Sequence, residues 1–322
     1  MTSSIVNTHE YPFHFDNPIK TEQNGKPGEL RGVTLHLPNV RGKIPSIQAS
    51  RMRTMILESY QAGFPFVFLA GYAVASSYGL PDTGYIALQE VCDKIQEAVR
   101  QVSVPVMADG DTGYGSPMNV KRTVESFARA GAAGCGHTKG KSVVSRGEAF
   151  ARMKAAVDAR DEGLDIVIQA RTDSYNTHGW EEAIYRANKF LEIGVDLVFI
   201  EALPDRDTMI RAVKEVKGPL CANIIEGGLT ENMSAKDLAA IGMVTVAYPW
   251  TLVAAHLRST REALESLKKS FSIGKPEQIL SYEEVCYGVG FNKYWELEER
   301  YKYDANGLTN GGKKSGQNGA SA

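Results

Sequence analysis

The sequence has few cysteines, no long apolar run and no secretory signal, the features typical of secreted, membrane-bound or zinc-binding proteins. Its four cysteines are scattered along 322 residues, with no Cys-x-x-Cys pair and no zinc-type spacing. We therefore expect neither a disulfide framework nor a structural zinc site, and reduced thiols indicate an intracellular protein. No apolar run approaches the length of a membrane span, and the first residues lack a secretory signal. We expect a cytoplasmic protein without a membrane partner, with a mitochondrial or peroxisomal location left open.

An excess of charge is also lacking. There are 36 basic and 38 acidic residues, with no long run of either sign. This balance provides no electrostatic surface for nucleic acid, so we expect a small soluble ligand instead. Apolar residues make up 43% of the chain, enough for two ordinary domains or one large α/β barrel.

Short apolar runs alternate with helix-like stretches through the middle of the chain. Such continuous runs are typical of strands buried on both faces. They lie at residues 66–70, 104–108, 166–170, 197–200, 219–222 and 244–248. A further strand is predicted at 33–38 and a helix from about 46 to 63. The alternation favours a parallel sheet, most simply a closed (β/α)8 TIM-type barrel.

Polar residues follow each apolar run. Asp109 and Asp111 stand two apart at the start of a glycine-rich turn, and two close carboxylates with room for water suit Mg²⁺ or Mn²⁺. An isolated Asp-x-Asp is more often an acidic surface turn, and Arg171 with Asp173 could be a simple salt bridge. In a barrel, however, all carboxyl ends of the strands meet on one face. The set that would converge there is Gly71, Tyr72, Asp109, Asp111, Arg171, Asp173, Glu201, Asn223, Glu226 and Tyr248.

The alternation fails between the predicted helices 116–131 and 145–163. No apolar strand lies between them, and Val143-Val144 is too short to supply one. Periodicity therefore predicts that one barrel strand is missing near residues 134–135.

Four segments are expected. They are an irregular arm at 1–30, the barrel at 31–271, a helical extension at 272–305 and a tail at 306–322. The tail is rich in Gly, Asn, Ser and Lys and cannot bury enough apolar surface to become ordered. The aromatic-rich extension could pack on another subunit or on its own barrel.

A series of motifs resembles the isocitrate lyase/phosphoenolpyruvate mutase superfamily, nearest its methylisocitrate lyase-like branch, which includes 2,3-dimethylmalate lyase and oxaloacetate acetylhydrolase. The end of the chain, residues 285–295, resembles the fungal members. The motifs are Gly79-Leu-Pro-Asp82, Ala108-Asp-Gly-Asp-Thr-Gly-Tyr-Gly115, Cys135-Gly-His137, Gln169-Ala-Arg-Thr-Asp173, Ile200-Glu201, Ala222-Asn-Ile-Ile-Glu-Gly-Gly228 and Tyr248-Pro249.

The resemblance implies a (β/α)8 barrel whose C-terminal helix is exchanged between subunits of a homo-oligomer, usually a tetramer built as a dimer of dimers. It also implies Mg²⁺ as the cofactor, holding a small α-keto or α-hydroxy dicarboxylate. Asp109 would bind the metal directly, whereas Asp111 and Asp82 would act directly or through water.

The same resemblance assigns the substrate and proton-transfer roles. Arg171 would bind a substrate carboxylate, and Glu201 and Asn223 other polar groups of the substrate. The backbone at Gly71 and Tyr72 would receive the second carboxylate. Cys135, on a mobile loop with His137 beside it, would be the general acid that protonates an enolate carbon. The activity implied is Mg²⁺-dependent carbon–carbon cleavage of a substituted malate or a related 2-hydroxy or 2-keto dicarboxylate.

Two departures keep alternatives open. Family sequences have a strand ending Glu-Asp-Gln and a further loop before Cys-Gly-His, whereas Cys135 here directly follows Gly134, which implies a deletion of roughly ten residues. The chain could therefore be a catalytically impaired lyase or a non-catalytic oligomer subunit. Oxaloacetate acetylhydrolase, producing oxalate and acetate, is the other alternative. The resemblance implies a hydrogen-bonding serine near this point in oxaloacetate hydrolases, and Ile225, which cannot donate that bond, disfavours this alternative.

Overall fold

The computed structural model describes residues 45–48, 62–82, 84–137 and 143–302, with the backbone alone at 45–48 and 136–137. The chain divides into two compact units, Met1–Thr260 and Arg261–Ala322.

The first unit is a closed barrel of eight parallel strands. Each strand pairs with the next one in the chain, and β8 pairs with β1. The strands are β1 (Pro45–Gln48), β2 (Val67–Leu69), β3 (Val106–Asp109), β4 (Gly134–His137), β5 (Val167–Thr172), β6 (Leu197–Ile200), β7 (Leu220–Asn223) and β8 (Thr245–Tyr248).

Helices follow strands β2 to β8 in the described part of the chain. They are α1 (Gly71–Ser77), α2 (Leu88–Val99), α3 (Pro117–Ala130), α4 (Arg146–Asp161), α5 (Ser174–His178), α6 (Trp180–Ile193), α7 (Arg206–Glu215), α8 (Ala235–Ile241) and α9 (Thr251–Ser270). Helix α3 illustrates the local signals: proline occupies its first turn after Ser116, and Gly131 ends it at φ 96°. Proline tolerates the first turn, and glycine adopts the left-handed cap without a Cβ clash.

Alternate residues of each strand face opposite sides of the barrel wall. One set, including Ala108, Ile168 and Ala222, is buried against helix residues such as Phe127 and Met153. The other set points into the barrel, where Leu197, Phe199 and Cys221 form a small apolar cluster. This two-residue period places the residues that follow Ile168 and Ala170, namely Gln169 and Arg171, on the inner side.

The predicted (β/α)8 barrel is confirmed, and the six predicted apolar runs are strands β2, β3, β5, β6, β7 and β8. The start of the barrel differs from the prediction. The predicted helix began at about residue 46, but Pro45–Gln48 forms strand β1. The predicted strand at 33–38, the arm at 1–30 and the tail at 306–322 lie outside the described residues.

Strand β4 corrects the prediction of a missing strand. Gly134–His137 pairs on both sides, with Cys135 opposite Ala108 of β3 and Ile168 of β5. The apolar periodicity does not reveal this strand because strand pairing uses backbone N–H and C=O groups, which glycine carries as valine does. Pairing on both sides also leaves no unpaired edge in the closed barrel. A barrel strand is therefore not missing here, whereas the shortening relative to the family stays a prediction.

The second unit contains the end of α9, then α10 (Tyr282–Gly288) and α11 (Phe291–Tyr301). The backbone N–H of Glu277 donates to Ser266 Oγ at 2.9 Å, and the Phe291 and Trp295 rings lie 5.9 Å apart. Many of its large apolar side chains are exposed, among them Phe271, Ile273, Ile279, Tyr282, Tyr287 and Tyr301. The segment boundary at residue 272 stays a prediction. In the described ranges, every helix is too short or too polar to cross a membrane.

Candidate active site

A cavity of about 210 Å³ opens at the carboxyl ends of the barrel strands. Its upper part is lined by side chains from the ends of five strands and the loops after them. These are Tyr72, Asp82, Asp109, Asp111, Arg171, Glu201, Asn223 and Ile225. Its floor is largely apolar, formed by Phe66, Phe68, Met107, Phe199, Cys221 and Thr245, with Gln169 among them.

Both oxygens of Asp109 are held by backbone N–H groups. Gly71 N donates to Oδ2 at 3.1 Å and Asp111 N donates to Oδ1 at 2.9 Å. A Cβ at position 71 would lie 3.2 Å from Asp109 Oδ2, so glycine permits this approach. The Gly71 N–H, predicted to receive a substrate carboxylate, is thus directed at Asp109 in this structure.

The turn after Asp109 has an unusual backbone. Asp111 and Tyr114 adopt positive φ values of 47° and 59°, which cost about 1 kcal/mol or more each in non-glycine residues. Two helices hold the turn from behind: Arg152 Nη1 donates to Thr112 O at 3.0 Å, and Thr123 Oγ1 to Gly113 O at 3.2 Å. These contacts fix the direction in which Asp111 leaves the strand.

The three predicted metal ligands line the same cavity. Burial raises the pKa of Tyr114, and Asp111, Asp109 and Asp82 raise it further, which shows that the carboxylates share one region. Within the described residues, no three His, Cys, Asp or Glu side chains form a compact metal-binding group. The donor set fits a hard cation such as Mg²⁺, which commonly uses one or two carboxylates and keeps several waters. It does not fit a closed cage of protein ligands.

Among the described residues that line the cavity, Arg171 is the one cationic side chain. Its Nε and Nη2 donate to the two oxygens of Asp173 at 3.0 and 2.7 Å, and Nη2 lies 2.9 Å from Glu201 Oε2. Its guanidinium carbon also lies 5.2 Å from the centroid of the Phe199 ring. The salt bridge considered as an alternative therefore exists. It immobilises the guanidinium at the cavity wall, which prepares Arg171 to bind a carboxylate.

Glu201 and Asn223 complete the polar side of the cavity. Burial raises the pKa of Glu201, Arg171 opposes that rise, and Asp173 adds to it. Glu201 Oε2 makes no hydrogen bond of good geometry within the described part of the chain, although it is close to Arg171. A carboxylate with a raised pKa and an open lone pair can accept a proton from a bound ligand.

Tyr72 closes another side of the cavity. Its hydroxyl donates to Pro249 O, which links the end of β2 to the end of β8. Burial raises its pKa, with Glu226 and Asp82 adding to the effect. The hydroxyl is therefore neutral and acts as a donor.

Cys135 does not line this cavity. It lies on β4, in one row with Ala108 and Ile168, and is only 6% exposed within the core shared with the helices. Burial raises the pKa of its thiol to about 12, with Asp196 adding to the rise and Arg160 opposing it. The prediction that Cys135 sits on a mobile loop is wrong, because it sits on a strand. Its role as general acid stays a prediction, and the side chain of His137 lies outside the described part.

Comparison with known proteins identifies the family. The profile described as phosphoenolpyruvate phosphomutase matches residues 54–268. The chain belongs to this family. Relatives in sequence include 2,3-dimethylmalate lyase of Eubacterium barkeri, 32% identical and covering 74% of this chain and 87% of the relative. The petal death protein of Dianthus caryophyllus is 33% identical, with 84% and 90% covered.

Solved structures of phosphoenolpyruvate phosphomutase relatives agree with the fold. A crystal structure of 2,3-dimethylmalate lyase matches with a TM-score of 0.75 and 30% identity, covering 81% of this chain and 95% of that one. Oxaloacetate acetylhydrolase matches with a TM-score of 0.75 and 28% identity, covering 82% and 95%. The resemblance noted from the motifs is thereby confirmed.

The motifs of this phosphomutase-family chain do not predict the floor of the cavity. Phe199, Cys221 and Thr245 have the sequence pattern of ordinary core residues, and Gln169 belongs to a motif that assigns it no role. Strand alternation was the available signal, since Gln169 stands two residues before Arg171 and must share its face.

Proposed function

We propose that this member of the phosphoenolpyruvate phosphomutase family is a Mg²⁺- or Mn²⁺-dependent carbon–carbon lyase. Its substrate would be a substituted malate or a related 2-hydroxy or 2-keto dicarboxylate, cleaved through an enolate. The observation that carries this proposal is one cavity holding an immobilised Arg171 together with Asp82, Asp109 and Asp111. Relatives named 2,3-dimethylmalate lyase and 2-methylisocitrate lyase support it.

Arg171 binds one carboxylate of the substrate in this proposal. Asp173 holds the guanidinium through two hydrogen bonds, so little side-chain freedom is lost when the substrate binds. Asp109, with Asp111 and Asp82, would hold the divalent cation, and the cation would supply Lewis-acid stabilisation of developing negative charge. Arg171, and the cation when bound, would stabilise the additional negative charge that develops as the dicarboxylate is converted to the enolate.

Glu201 is the base suited to the first proton transfer. Cleavage of a 2-hydroxy acid needs an acceptor for the hydroxyl proton, and the raised pKa of Glu201 makes its carboxylate a stronger base than an exposed glutamate. Asn223 lines the same cavity and can donate a hydrogen bond to a substrate oxygen.

Two observations favour other functions. The similarity to oxaloacetate acetylhydrolase supports oxalate formation, although Ile225 lines the cavity and cannot donate a hydrogen bond to a hydrated ketone. The burial of Cys135 on the helix side supports a chain with impaired catalysis, because the protonating thiol predicted from the family does not line the cavity.

One experiment separates these functions. The purified full chain is incubated with MgCl₂ or MnCl₂ and, in turn, 2,3-dimethylmalate, 2-methylisocitrate and oxaloacetate. Pyruvate is followed by a lactate dehydrogenase coupled assay, and oxalate by chromatography. Pyruvate from a hydroxy acid supports the lyase, whereas oxalate from oxaloacetate supports the acetylhydrolase. Absence of both products, with cation binding retained in calorimetry, would contradict the lyase and favour a non-catalytic chain.

A matched pair of variants ties any turnover to this cavity. Arg171→Gln removes the cation of the site, while Lys189→Gln removes one charge from an exposed pair with Glu192 on α6. We expect turnover to be lost only in Arg171→Gln. Equal turnover by both variants would show that the activity arises elsewhere.

We also propose that the chain forms a homo-oligomer through its second unit. The support is the row of exposed apolar side chains in α10 and α11, including Tyr282, Tyr287, Phe291 and Trp295. Burying such residues between subunits would remove a large apolar surface from water. Light scattering on the full chain tests this proposal, and a monomeric mass at micromolar concentration would contradict it.

A further inference from the structure

The floor of the cavity contains one buried amide among apolar side chains. Gln169 is 7% exposed and lines the cavity together with Phe68, Met107 and Phe199. Within the residues that the structure describes, no hydrogen bond of this side-chain amide is found. The amide is not among the fully buried unpaired groups, so it faces the cavity, where it can donate a hydrogen bond to a ligand oxygen.

The strand register places Gln169 between the two charged sides of the cavity. Asp109 of β3 is opposite Gly136 of β4, and Gly136 is opposite Gln169 of β5. Two strand spacings correspond to roughly 10 Å between the backbones of Asp109 and Gln169. Glycine carries no side chain, so none stands between these two residues in their row. Arg171 lies two residues further along β5 on the same face.

The chemistry of an amide suits this place. A second cation there would be drawn to Asp109, and an acid would repel the anionic substrate, whereas a neutral amide can donate through Nε2 and accept through Oε1. Two of the other polar groups on the cavity wall are already engaged, since Arg171 is bound to Asp173 and Tyr72 donates to Pro249, whereas Glu201 and Asn223 face the cavity from β6 and β7.

We propose that Gln169 is a substrate-binding residue whose side-chain amide donates a hydrogen bond to a ligand oxygen held between Asp109 and Arg171. Gln169 thereby selects small dicarboxylates that carry an oxygen at the cavity floor over analogues with an apolar group there. The inference rests on the proposed function for the class of ligand, and its test does not require turnover.

The test uses oxalate as the probe, with MgCl₂ present, and measures its Kd by calorimetry on the full chain. Gln169→Met keeps the side-chain volume but removes the donor, so we expect Kd to rise about tenfold or more. Gln169→Glu keeps the shape and adds a negative charge, and we expect a larger rise.

Thermal unfolding separates a binding role from a structural one. Because no residue in the described part of the chain forms a hydrogen bond with this amide, Gln169→Met is expected to leave Tm unchanged or to raise it. The matched control is Ile168→Val, the neighbour on β5 that faces the helices, which is expected to lower Tm and leave the oxalate Kd unchanged.

Each outcome decides something. Binding of oxalate by Gln169→Met as tightly as by the wild-type chain would overturn the inference and leave the lyase proposal standing. Weak binding by this variant, in a chain that turns over no dicarboxylate, would support the inference while the lyase proposal fails. No oxalate binding by the wild-type chain would overturn the inference, whereas the turnover assay alone decides the lyase proposal.

Discussion

Burial of Cys135 on β4 has a measurable chemical consequence. Its thiol is 6% exposed, and burial raises its pKa to about 12. At pH 8 only about one thiol in 10⁴ would then be ionised, compared with about one in four for an exposed thiol of pKa near 8.5. Because the thiolate is the reactive species, ionisation alone slows modification by a disulfide reagent about 2,000-fold.

The assay is titration with Ellman's reagent at pH 8, folded and in guanidinium chloride. All four cysteines are buried, so a comparison of variants is needed: Cys135→Ala against Cys92→Ala, whose thiol is also buried with a raised pKa. In the folded state both variants are expected to match the wild-type chain, with no fast phase assigned to position 135. In denaturant the wild-type chain releases four equivalents and each variant three.

The Cys135→Ala variant is also expected to change the free energy of unfolding only slightly and to keep its turnover. Removing one buried sulfur is expected to cost about 1 kcal/mol of unfolding free energy, measured by urea denaturation. A fast phase of reaction with Ellman's reagent in the folded wild-type chain, absent from Cys135→Ala, would refute this prediction. Loss of turnover in the same variant would show that the thiol reaches the cavity as a general acid.

Three further predictions concern charged groups. The hydrogen bond from Arg146 lowers the pKa of Glu182 to about 2, against a smaller raising effect of burial. This interaction contributes about 1–2 kcal/mol to the free energy of unfolding after a discount for screening, and the contribution is present above pH 4.5 and lost as pH falls towards 2. The difference in unfolding free energy between pH 7 and pH 3, measured with urea, should therefore be smaller in Glu182→Gln than in the wild-type chain. In the wild-type chain Arg160 lies 2.8 Å from the Asp196 carboxylate. Asp196→Ala removes this buried partner and should lower the free energy of unfolding by about 3 kcal/mol. A loss below about 1 kcal/mol would contradict this prediction. Arg171→Lys keeps the charge but cannot reproduce the paired hydrogen bonds to a carboxylate, so kcat/KM should fall about 100-fold, and unchanged steady-state kinetics would argue against the assigned role.

The local pattern of the chain was sufficient for most of the barrel. Six strands could be predicted because strands buried on both faces are continuous apolar runs, as at 166–170 and 197–200. The location of the site followed from topology, since the carboxyl ends of parallel barrel strands share one face. Asp109, Arg171, Glu201 and Asn223 therefore line one cavity, as the sequence predicted.

Contacts between distant segments could not be predicted in this way. The strand Gly134–His137 has no apolar run and forms because β3 and β5 offer paired backbone groups on both sides. The hydrogen bond from Gly71 N to Asp109 joins residues 38 apart in sequence. No local pattern reports such a contact, because it depends on how neighbouring strands are brought together.

The sequence by itself determined the fold class, the family resemblance and the set of polar residues at the strand ends, because each depends on local periodicity or on a short motif. Only the tertiary structure decided which side of the wall Cys135 occupies and that the Gly71 N–H is directed at Asp109. A shift of one residue in strand register moves every side chain to the opposite face, and that register is set by the neighbouring strands.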